Sequence, residues 1–163
     1  MPKAITVLLA ILALVGSIGA ATMRPAHAED LEFRAVVHVT SAQSQDVGDV
    51  DGHVLSLVRA SGIASFQDGS TATTYLVAQT DYTKGNGTNT GYINLTFDDG
   101  SVLWYTTAGT ATVDGNRTIF RGMITVIGGK GRFAGAKGEG GFNGARLGTG
   151  PDLFIDQMIT VKK

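Results

Sequence analysis

From Leu31 to Val39 apolar and polar positions alternate, with Leu31, Phe33, Ala35, Val37 and Val39 on one face. A period of two marks a strand with one buried side. Ser41 to Gly52 is polar and reads as a loop. Strand-like segments rich in Thr, Val, Ile and Tyr then follow at His53–Phe66 (bent at Gly62), Thr71–Thr83, Thr88–Phe97, Ser101–Val113, Asn116–Ile127, Arg132–Phe142 and Asp152–Val161. The breaks between them carry hairpin chemistry: Gln67-Asp68-Gly69-Ser70, Lys84-Gly85-Asn86-Gly87, Asp98-Asp99-Gly100 and Asp114-Gly115. Ala145 to Pro151 reads as a flexible connection. Eight evenly spaced strands predict an all-β barrel or sandwich. Short sequential hairpins favour an eight-stranded antiparallel up-and-down barrel, which encloses side chains or one small ligand.

The stretch Val126–Phe142 holds glycines at 128, 129, 131, 135, 138, 140 and 141. Glycine weakens a strand, so such density predicts sharp bending or close approach of another group. A phosphate-loop reading fails. Lys130 and Lys137 are each followed by glycine where a Walker A motif needs Ser or Thr, and the third glycine of a dinucleotide fingerprint is replaced by Ala134 or Asn143.

Composition narrows the classes. Met1-Pro2-Lys3 precedes an apolar run from Ala4 to Val15, and Ala26-His27-Ala28 precedes Glu29. That is the pattern of a secretory signal peptide over residues 1–28, ahead of a single barrel domain over 29–163. The expected compartment is the periplasm or the extracellular space. The formal net charge is −1, and loss of Lys3 and Arg24 makes the remainder more acidic, so nucleic acid is not an expected partner. With no cysteine the chain has no disulfide staple and no thiol chemistry. A small outer-membrane barrel also has a leader and eight strands, but it needs an apolar outer band with aromatic girdles. At 7 % aromatic residues, with Arg34, Arg59 and Arg121 inside strands, this chain is not expected to insert stably in a membrane.

The run Phe97-Asp98-Asp99-Gly100-Ser101, then Gly109, then Val126-Ile127-Gly128-Gly129-Lys130-Gly131-Arg132-Phe133-Ala134-Gly135-Ala136-Lys137-Gly138 resembles the allene oxide cyclase and dirigent-like barrel superfamily. Its bacterial members carry a D-G-S hairpin followed by G-G-x-G-x-[FY]-x-G-A-x-G. The resemblance extends over about Gly91 to Gly141, and Lys130 stands where Thr is more usual. It implies a calycin-like eight-stranded barrel that holds an apolar ligand, either a fatty-acid derivative being cyclised or a phenolic radical being steered. The fold alone does not choose between them.

Candidate chemistry is sparse. His38 and His53 are the histidines beyond the leader, and neither has the spacing of a zinc site. Asp46, Asp49 and Asp51 crowd one loop without the EF-hand pattern. No G-x-S-x-G elbow is present. Arg121 lies between Ile119 and Met123, and Asp156 between Phe154 and Met158, so each charge interrupts an apolar alternation. Two readings stand open. Both charges face the lumen as a paired ligand site, or both face outward with Phe120, Ile124, Leu153 and Ile155 inside. Tyr75, Trp104 and Tyr105 are candidate pocket walls or plain core.

The sequence therefore predicts an exported barrel binding an apolar small molecule, with no cofactor and no metal. A cofactor-free cyclase or isomerase, a structural barrel with a filled core, or a small outer-membrane barrel are the alternatives, and assembly into a homo-oligomer stays open. N-terminal sequencing of the exported protein is expected to begin at Glu29. Recovery of the chain with Met1 intact in the cytosol would overturn the export expectation.

Overall fold

The computed structural model describes residues 28–163. The expected leader, apart from Ala28, therefore lies outside the described residues. The strands are β1 (Ala28–Asp46), β2 (His53–Phe66), β3 (Thr71–Thr83), β4 (Asn86–Phe97), β5 (Val102–Asp114), β6 (Arg117–Lys130), β7 (Lys137–Leu147) and β8 (Asp152–Lys162). Each pairs antiparallel with the next, and β8 pairs with β1 to close the barrel. The fold class is the one the alternation predicts.

The boundaries differ in two places, each for a physical reason. Instead of ending at Val39, β1 continues through Asp46, because Ser41–Asp46 pair with Arg59–Val54 of β2. The register shifts between Val39 and Ser41. Thr40 is thus the extra residue of a bulge, and a bulge reverses which face the following residues present. Ala42 and Ser44 consequently join the lumen wall. A polar run read as loop is in fact strand, since cross-strand pairing overrides weak local propensity.

At the glycine-rich stretch β6 runs on to Lys130, and Gly131–Phe133 form a single 3-10 turn. β7 accordingly starts at Lys137 rather than Arg132 and extends to Leu147, taking in Ala145 and Arg146 from the expected connection. The glycines here do two different jobs. Gly135 has φ +75 with open space around it, so it serves the backbone turn alone. A Cβ on Gly138 would run into the carbonyl of Thr160 on β8, so there glycine permits close approach of two strands.

Side-chain size sorts along the barrel axis. At the end carrying the β2–β3, β4–β5 and β6–β7 connections, the lumen is filled by Phe33, Leu95, Leu103, Tyr105, Phe133 and Ile159, each at most 4 % exposed. Phe33, Phe66, Phe97 and Phe133 form a continuous row with ring centroids 4.9, 5.5 and 5.1 Å apart. Such tilted aromatic contacts stabilise beyond their buried area. Arg132 caps the row from outside, its guanidinium 4.3 Å from the Phe97 centroid and 4.8 Å from that of Phe133. Toward the opposite end, inward positions hold Ala42, Ser44, Ser56, Ala78, Thr80 and Thr107, and the lumen opens.

Phe133→Ala should destabilise the protein by about 3–5 kcal/mol in urea unfolding. Phe154→Ala, on the outer face and 42 % exposed, should cost about 1 kcal/mol or less. Equal costs would show that the closed end is not the core.

Candidate ligand-binding site

The unfilled half of the lumen is a cavity of about 320 Å³. That volume lies at the small end of ligand pockets, which run from about 300 to 1,000 Å³. Its walls are chiefly apolar, with Val37, Val58, Leu76, Ile93, Phe120 and Phe142 among them. Phe142 can reach across because glycines stand opposite: a Cβ on Gly109 or Gly122 would meet its ring at 2.7 or 2.6 Å.

The polar groups are few and sit at two levels. Deep in the cavity Gln157, 9 % exposed, accepts a hydrogen bond at 2.8 Å from the hydroxyl of Tyr105 behind it. Burial pushes the Tyr105 phenol well above its ordinary range, so it stays protonated as a donor. Toward the mouth Tyr82 on β3 accepts a hydrogen bond from Asn89 Nδ2 on β4 at 3.3 Å. Burial also pushes the Tyr82 phenol up, against smaller opposing pulls from that bond and from the charge of Arg146. Ser44 and Ser56 pair with each other at 2.9 Å. Arg146, on β7 between Thr118 and Leu153, completes the polar set.

The sequence candidates fall on both sides of the wall. Tyr105 is inside and fully buried. Tyr75 and Trp104 are on the outer face, 43 % and 38 % exposed. Arg121 and Asp156 also face outward, while Phe120, Ile124, Leu153 and Ile155 point inward. The lumenal pairing of Arg121 with Asp156 is thereby corrected. Asp156 instead takes a two-pronged ion pair from Arg34 directly across on β1, at 2.6 Å to Nε and 2.9 Å to Nη2. Alternation settles the matter: larger buried side chains gain more from the interior than a charge pair does.

Arg146, Tyr82, Asn89 and Gln157 are the cavity residues that sequence reasoning missed. The signal for Arg146 was its phase. Gly138, Gly140, Phe142, Gly144 and Arg146 share one face of β7. The Gly-rich pattern hid that phase by resembling a connection.

Both histidines lie outside the cavity. His38 Nδ1 meets Asp152 Oδ1 at 2.8 Å on the surface. His53, at the rim, bridges Asp49 at 2.6 Å and Asp81 at 2.8 Å, with its side chain 17 % exposed. The β1–β2 loop is thus tied to β3, and Lys84 strengthens the tie through Asp51 at 2.9 Å. Among the described residues no group of three or more His, Cys, Asp or Glu converges for a metal ion. Neither models of known protein families nor curated protein sequences match this chain.

Asp81 first, and Asp49 with it, hold the His53 pKa above its ordinary value of 6.5. A raised folded pKa makes the bridge fully stabilising below the unfolded pKa, and that contribution is lost as pH rises through the folded one. Proton NMR should therefore place the His53 midpoint above 6.5, and His53→Gln should flatten the stability profile across that window. A midpoint at or below the ordinary value would refute the double bridge.

Proposed function

We propose that this chain is an exported barrel that holds one apolar small molecule, of lipid or phenolic type, in the open half of its lumen. The reading accords with the allene oxide cyclase and dirigent-like group that the chain resembles. One observation carries it: the cavity has apolar walls and only a few convergent polar groups, above a floor sealed by the Phe33–Phe133 row. A solid core would have left no such space.

The distribution of polarity supports a barrel that works in water. Outer-membrane barrels turn an apolar band outward and a polar face inward. Here the lumen is the more apolar side, and the outer face is mixed, with exposed Ile63, Tyr92, Met123 and Met158 set among charges. The outer face carries Glu32, Arg34, Arg59, Arg121, Glu139 and Asp156, while the lumen is lined mainly by aliphatic and aromatic groups. Binding also fits the cavity better than proton transfer does. Among the described residues no carboxylate or imidazole lines it, and its Tyr82 phenol is pushed further from neutrality by burial.

Incubating the purified protein with a lipid and phenolic extract, then identifying retained molecules by mass spectrometry, tests the proposal. Ala78→Trp, which fills the cavity beside Val58 and Gly91, should lose the retained molecule while leaving the fold intact by circular dichroism. Equal retention by both proteins would place the ligand elsewhere and reject the lumen as the site.

A further inference from the structure

We propose that the lumen selects an apolar molecule bearing a single anionic group, and that Arg146 is the residue that fixes that group. This rests on the reading of the lumen as a ligand site and adds the ligand's charge.

Among the described residues, Arg146 Nε is the buried side-chain nitrogen or oxygen that lacks a hydrogen-bond partner. The cavity wall contains, among the described residues, no Asp or Glu to pair with the guanidinium, and no Lys or second Arg. Among the described residues the arginine ion pairs lie elsewhere, Arg34 with Asp156 and Arg132 with Asp99. The residue as a whole is half-buried, but its Nε is enclosed beside apolar walls without a partner, which is costly, and an arginine cannot escape that cost by losing its proton. A lysine could; the choice of arginine keeps the charge in place. What would offset the cost is an anion supplied with the ligand.

The surroundings specify that anion further. The guanidinium fork matches the two oxygens of a carboxylate. Tyr82, on the wall contributed by β3, already accepts from Asn89 Nδ2, which leaves its hydroxyl proton free to donate. Burial holds that proton in place through the neutral range. Arg146 and Tyr82 thus present donors alone, and a single cation balances a single negative charge. Below them Val58, Leu76, Ile93 and Phe120 make the wall chiefly apolar, with Thr74 and Gln157 as neutral polar groups and no second charge, so the remainder of the ligand is expected to be mainly apolar.

A matched pair of probes separates charge from hydrophobicity. Isothermal titration of the purified protein with decanoate and with 1-decanol should show decanoate binding about tenfold tighter or more, as one charge-assisted hydrogen bond supplies. Arg146→Met should erase that preference by weakening decanoate while leaving decanol unchanged. Should Arg146→Met fail to fold, Arg146→Lys and Tyr82→Phe provide the readout, each expected to narrow the preference. Equal binding of both probes by the unaltered protein, or a preference that survives these substitutions, overturns the anion assignment and leaves the lumen reading standing. Binding of neither probe overturns both.

Discussion

The row of rings from Phe33 through Phe66 and Phe97 to Phe133 sets what the rest of this barrel can do. Rings contributed by β1, β2, β4 and the 3-10 turn fill one end of the cylinder at interior density. Strand number fixes the diameter of the barrel. Length left over beyond the aromatic floor therefore becomes cavity, provided the side chains there are small. Ala42, Ser44, Ser56 and Ala78 meet that condition. The floor lets a protein without disulfides keep an empty half, because the filled half supplies the hydrophobic stabilisation.

Within that space electrostatics differ from those at the surface. Apolar walls lower the local dielectric, so the guanidinium of Arg146 acts over a longer range there than the surface arginines do in water. The contrast with Arg34 is instructive. Arg34 has an ideal partner in Asp156, yet both are well exposed, at 64 % and 46 %, and solvent takes most of the interaction. Among the described residues Arg146 has no acidic partner in the cavity wall, and it sits where a partner would count.

The fold was legible in the sequence because strands announce themselves by alternation, and the positions Leu31, Phe33, Ala35 and Val37 do line the interior. The hairpin turns were equally legible, since left-handed backbone at Gly69, Gly100 and Gly115 calls for glycine. What escaped was phase and extent. The Thr40 bulge reverses the faces of β1 midway, and no residue type marks it. On β7, glycines that allow strands to come close were indistinguishable from glycines that end a strand. That ambiguity concealed Arg146. For Arg121 and Asp156, each between apolar neighbours, only the assembled barrel shows that those neighbours, Met123 and Met158, are themselves 64 % and 60 % exposed.

Closure of β8 onto β1 has a kinetic meaning. Arg34 and Asp156 are 122 residues apart in sequence, yet their strands must pair before the two outer edges of the sheet are protected. Until the last strand emerges, β1 and β7 each present an unpaired edge, the kind of template on which chains aggregate. Contacts of such long sequence separation also form slowly. The barrel is thus a fold that matures only when the whole chain is present, and loss of its final eleven-residue strand would expose both edges at once.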